Sequence, residues 1–152
     1  MAVVEREAGY LVFAQRASAD AEVDAWNAHA VRFFGARVGL AEKPRVDAGG
    51  VELRLVVSPD DGAPGVRTAF GRRRDAQDLA AAEAAEQRAG GGGLALLAHR
   101  CETVWLVVRE SDPDPLALRL AAILAGAMLG PILDVRSLDL FGVKTARAKL
   151  AR

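Results

Sequence analysis

Residues 48–57 read Ala-Gly-Gly-Val-Glu-Leu-Arg-Leu-Val-Val. Val51, Leu53, Leu55 and Val57 fall on one face of an extended chain and Glu52 and Arg54 on the other, the period-two pattern of a strand with one exposed side. The Ala48-Gly49-Gly50 step marks a tight turn from a short strand around Pro44 to Asp47, so the two runs form a hairpin. A hairpin in the middle of the chain needs an antiparallel sheet, whereas a doubly wound parallel sheet would place a helix there.

Two further runs, Tyr10 to Gln15 and Thr103 to Val108, are almost continuously apolar. That pattern belongs to strands covered on both faces, or on one face by a helix, in the middle of a sheet. Ile132 to Val135 reads as another short strand. Helical spacing fills the gaps. Behind a cap at Ser18 or Asp20, the residues Val23, Trp26, Ala30, Phe33 and Phe34 make one apolar face, and Gly35 ends it. Asp75 to Ala89 reads as an Ala-rich helix with a thin apolar stripe around Leu79. Gly90 to Gly93 break it, and Leu94 to Cys101 resume for two turns. Asp114 to Leu129 is a strongly apolar helix, with Asp112 as its expected cap and Pro113 in the first turn. Lys144 to Leu150 closes the chain with a short helical stretch.

Tyr10-Leu-Val-Phe followed by a helix and Gly35 is echoed by Trp105-Leu-Val-Val followed by a helix and Gly130. Both are β-α-β in outline. The expected fold is therefore α+β: a mostly antiparallel sheet with helices packed on one face, in a split β-α-β or ferredoxin-like arrangement. An open α/β sheet is the alternative. At 152 residues and 16.0 kDa, one domain over residues 1–152 is expected, with residues 90–93 as a hinge.

Charge narrows function. Lys plus Arg number 20 and Asp plus Glu number 20. Residues 1–75 carry 11 of each sign and residues 76–152 carry 9 of each, so no half offers the basic excess that draws a protein to nucleic acid or an anionic membrane. Of the basic residues 17 are Arg, and 31 residues are Ala; the bias suggests a GC-rich bacterial genome. A single cysteine, Cys101, excludes an intramolecular disulfide and any zinc site built on two thiolates. Met-Ala-Val-Val-Glu-Arg-Glu has no basic region leading into an apolar stretch, and the longest apolar segment, Leu120 to Leu133, is shorter than a bilayer span. A cytoplasmic location is the expectation, with no membrane partner.

Several residues invite chemistry. Gly90 to Gly93 lack the preceding strand and following Gly-Lys-Ser/Thr of a phosphate loop. His99 and Cys101 lie two apart, on different faces if helical, and make no nucleophile–base pair. His29 stands off its helix's apolar stripe and is expected at the surface. His99 and Asp112 are candidate ligand-binding residues of a cleft gathered from separate segments. Arg72, Arg73 and Arg74 form the densest basic cluster, a candidate anion site, with Arg74 placed to pair with Asp78. No metal-ligand spacing is visible and no cofactor is implied. Ala122, Gly126 and Gly130, small residues four apart on the last long helix, suit close approach of a second backbone, and Phe141 is an apolar anchor in the C-terminal stretch. These four are the candidate interface. The expected function is a non-catalytic interaction or assembly module, self-associating as a homodimer through that helix. A small-molecule-binding protein or enzyme with a cleft near His99 and Asp112 is the alternative, and nucleic-acid binding through Arg72 to Arg74 a weaker one.

Overall fold

The structure, a computed structural model, describes residues 9–15 and 22–151. The first strand β1 (Gly9–Ala14) is followed by helix α1 (Glu22–Phe33), strands β2 (Ala36–Leu40), β3 (Arg45–Asp47), β4 (Gly50–Pro59) and β5 (Gly65–Arg73), and helices α2 (Ala76–Arg88) and α3 (Leu94–His99). Strand β6 (Thr103–Val108), helix α4 (Pro115–Met128), strands β7 (Ile132–Asp134) and β8 (Asp139–Phe141) and helix α5 (Val143–Leu150) complete it. The expected caps at Ser18 and Asp20 lie outside the described residues.

One sheet holds the strands in the order β2-β4-β5-β6-β1-β7-β8, with β3 also on β4. Every pair is antiparallel among the described residues. The hairpin is present, with Val46 opposite Val51 and Asp47 opposite Gly50. Its turn is tied by Asp47 Oδ1, which accepts the amides of Gly49 and Gly50 at 2.7 and 3.1 Å. The parallel alternative is thereby set aside. The strand order is more complex than a ferredoxin-like arrangement, although a local β-α-β survives in which β6 and β7 run the same way on either side of β1.

The helices do not share one face. Tyr10, Val12 and Ala14 of β1 pack with Trp26 and Ala30 of α1 and with the apolar face of α4. Leu11 and Phe13, pointing the other way, pack with Ala82 and Ala85 of α2 and Ala98 of α3. Period-two alternation in a wholly apolar strand made both coverings necessary. At the larger core, Trp26 and Trp105 meet edge to face at 5.2 Å between centroids, a geometry worth about 0.5–1.5 kcal/mol beyond burial. Gly71 gives the Trp105 ring its space, since a Cβ there would lie 2.6 Å from it. On the β2 edge, the Val38 amide donates to Asn27 Oδ1 at 2.9 Å, so α1 shields part of an otherwise open strand.

Candidate functional site

The expected small-residue stripe is occupied within the chain, and its last member, Gly130, lies past the Leu129 cap of α4 rather than on the helix. Ala122 is fully buried. A Cβ on Gly126 would strike His29 Nε2, and one on Gly130 would strike the Phe13 carbonyl oxygen of β1. The backbone that lies close to this helix is therefore its own sheet, and the side chain in its groove is His29 of α1. The imidazole sits between the Phe33 and Phe34 rings at 4.7 and 5.8 Å. Its expected surface position is corrected: it is half-buried, and desolvation, reinforced by Arg147 and Arg32, lowers its pKa.

The arginine cluster is divided among separate tasks. Arg72 makes a bidentate pair with Asp78 at 2.7 and 2.8 Å, so the expected Arg74–Asp78 pair is replaced by one from two residues earlier. Asp78 also closes a capping box with Asp75 at the start of α2. Arg74 Nη1 donates to the carbonyls of Ala98, His99 and Cys101 at 3.3, 2.9 and 2.6 Å, gathering the free carbonyls at the C-terminal end of α3. Arg73 is exposed. Three adjacent guanidiniums thus do not converge on one point, because alternate strand residues face opposite ways.

His99 and Asp112 stand beyond opposite ends of the six-residue strand β6, a separation of roughly 20 Å. His99 Nε2 meets Glu83 Oε1 at 2.7 Å, and Asp112 pairs with Arg136 at 2.6 Å. Cys101 is buried, donates to the Leu97 carbonyl, and has its pKa pushed up to about 11 by desolvation, partly offset by Arg74. It is a thiol, and not a nucleophile, at neutral pH.

The cap of α4 is Asp114, not Asp112, and Pro115 takes the first turn. Asp114 accepts from Arg67 Nε and Nη2 at 2.9 and 3.0 Å, and from the amides of Glu110 and Ala117 at 2.9 and 3.2 Å. Desolvation alone would raise its pKa, but these donors outweigh it and hold the carboxyl below its usual range. A concavity of about 480 Å³ opens beside this pair. Its buried charges are matched to one another, so the cleft is explained by the architecture around it.

A second concavity, about 390 Å³, lies between the end of α2, the start of α3, β8 and α5. Leu94, Leu138, Leu140 and Phe141 make it apolar, and Arg88 and Lys149 give it two cations. Lys149 Nζ sits 5.1 Å over the Phe141 ring, and Arg88 Nη2 donates to the Leu138 carbonyl at 2.8 Å. Phe141 is the one expected interface residue that borders this groove; it is buried, as part of the floor. Leu138 is the unusual member. Its φ of 61° is left-handed, and its side chain is 41% exposed. The β7–β8 turn imposes that conformation: Asp134 Oδ1 accepts the amides of Arg136 and Ser137, and its carbonyl accepts the Leu138 amide at 2.7 Å. Glycine or asparagine suits such a position, and a leucine there costs about 1–2 kcal/mol.

Sequence reasoning passed over Arg88, Leu138 and Lys149. The available signal was α5, which carries Lys144, Arg147 and Lys149 and no acidic residue. No helix among the described residues is long and apolar enough to cross a membrane, and no group of three potential metal ligands occurs among them. No known protein family, curated protein or solved structure matches this chain.

Proposed function

We propose that this chain is a non-catalytic cytoplasmic protein-interaction module that holds a partner segment in the groove between α2, α3, β8 and α5. The observation that carries the reading is Leu138. A left-handed backbone conformation and a displayed apolar side chain are both unfavourable for the isolated fold; Leu129, the C-cap of α4, shares them away from the groove, and Leu138 is the residue at which they coincide with the wall of a concavity. Strain retained at a concave surface points to a role in binding. The groove, rather than the small-residue stripe of α4, is the surface we assign, because Gly126 and Gly130 are filled by His29 and β1.

Random short peptides panned on the folded protein, then titrated into isotopically labelled protein, test this. Shifts should concentrate at Arg88, Leu94, Leu138, Phe141 and Lys149. They should vanish in Ala89→Trp, which fills the groove from an exposed position just after α2. Peptides that bind elsewhere, or bind Ala89→Trp equally, would overturn the proposal.

A further inference from the structure

Resting on that groove as the binding site, we infer that its partner is an acidic peptide segment bearing an apolar anchor residue. Arg88 and Lys149 line the groove on either side of the Leu94, Leu138, Leu140 and Phe141 floor. The other two cations of α5, Lys144 and Arg147, do not line the groove, and Arg147 is turned to α1, where it donates to the Phe33 carbonyl at 2.7 Å and lies over the Phe34 ring. Among the described residues neither Arg88 nor Lys149 lies in an ion pair; Arg88 donates to the Leu138 carbonyl and Lys149 sits over the Phe141 ring, so both charges remain uncompensated at the groove. The one carboxylate on the groove, Asp139, already accepts from Ser137 Oγ at 3.0 Å. In a chain of zero net charge, this is a local cationic excess placed around an apolar hollow. Arg88 and Lys149 each sit in the last turn of a helix, where the helix dipole favours a cation. The dipole accounts for their sign, not for their flanking an apolar floor.

The floor selects among anions. A nucleic-acid backbone has no apolar group to fill the hollow, and Phe141 is too buried to stack on a base. A flat anionic membrane does not enter a concavity. An acidic segment with one Leu or Phe satisfies both parts, with the apolar side chain against Leu94, Leu138 and Leu140 and flanking carboxylates toward Arg88 and Lys149. Charge complementarity of this kind sets specificity and association rate, and the apolar anchor supplies affinity.

The probe is a fluorescein-labelled synthetic peptide alternating Glu with Leu and Phe, read by anisotropy. It should bind in the micromolar range at about 50 mM salt and at least tenfold more weakly at about 500 mM. Arg88→Glu with Lys149→Glu should weaken it by a further tenfold or more, and the milder Lys149→Gln, in a protein of unchanged circular dichroism, by a few fold. The matching Lys peptide should not bind. Equal binding of the Lys peptide, binding indifferent to charge reversal, or tighter binding of oligothymidine would overturn the inference. A Gln-for-Glu peptide that binds as tightly and is lost in Ala89→Trp would retain the groove and reject the acidic partner. If no peptide binds, or if Ala89→Trp binds the acidic peptide as well as the parent does, the groove and its partner fall together.

Discussion

Replacing Asp114 by Ala should cost this protein about 3–4 kcal/mol, the largest single effect expected outside the apolar core. The side chain is 1% exposed and its partner Arg67 is 16% exposed. Four donors converge on the carboxylate. Truncation removes an N-cap, worth about 1 kcal/mol, and leaves the Arg67 guanidinium short of its countercharge in a poorly solvated site, for which about 3–5 kcal/mol is typical. The two contributions share one side chain and overlap, and Arg67 retains some solvent, so the lower part of their combined range applies. At about 2–4 °C per kcal/mol for a chain of this size, the melting temperature should fall by roughly 6–16 °C. Urea unfolding followed by circular dichroism measures it directly. Asp114→Asn keeps the capping oxygen and should recover about 1 kcal/mol relative to Ala. A double-mutant cycle with Arg67→Met isolates the pair. A loss below about 1 kcal/mol for Asp114→Ala, or a coupling energy indistinguishable from zero, would refute the account of why α4 starts where it does.

Gly126→Ala should destabilise by about 1–3 kcal/mol through overpacking, because its Cβ meets the His29 ring wedged between two phenylalanines; adding His29→Ala should make the Gly126 change nearly neutral, and equal cost in both backgrounds would be contrary evidence. The lowered pKa of His29 means that the unfolded chain binds the proton more readily than the folded one. Its contribution to stability is therefore whole above about pH 6.5 and is lost as pH falls through the unfolded value toward the folded one; His29→Gln should flatten that part of a stability–pH curve, and an unchanged slope would contradict the placement. Cys101, with its pKa near 11, should resist a thiol-directed disulfide reagent at pH 8 in the native state and react once urea unfolds the chain; rapid native labelling would show that the thiol is accessible.

Much of the architecture is legible in the residues, and the parts that are not have identifiable causes. The wholly apolar runs of β1 and β6 announce central strands, and these two strands do lie adjacent near the centre of the sheet. The same pattern fits one helical cover or two, and the expectation of helices on one face is corrected by α2 and α3 on the second face. β5 left little trace: Arg67, Ala69 and Gly71 share a face on which only Ala69 is a recognisable core residue. Gly71 is there for the Trp105 ring, a long-range requirement with no local signature. β2, at the sheet edge, offers only Ala36 and Val38 to the core. On α4 the stripe of small residues correctly signals close approach, but spacing alone does not tell an internal neighbour from an external one. Of the groove only Phe141 is legible, since Arg88, Leu94 and Lys149 come from three separate helices and Leu138 from a turn, and no local pattern joins them.

Leu138→Asn tests the central claim most directly when stability and binding are measured on the same sample. Relief of the left-handed strain, about 1–2 kcal/mol, should offset the partial burial lost with the leucine side chain, itself about 1–2 kcal/mol. Unfolding free energy should stay within about 1 kcal/mol of the parent, while affinity for the acidic, apolar-anchored peptide falls at least tenfold. A loss of more than about 2 kcal/mol with unchanged affinity would make Leu138 an ordinary packing residue and would contradict the groove as the functional surface.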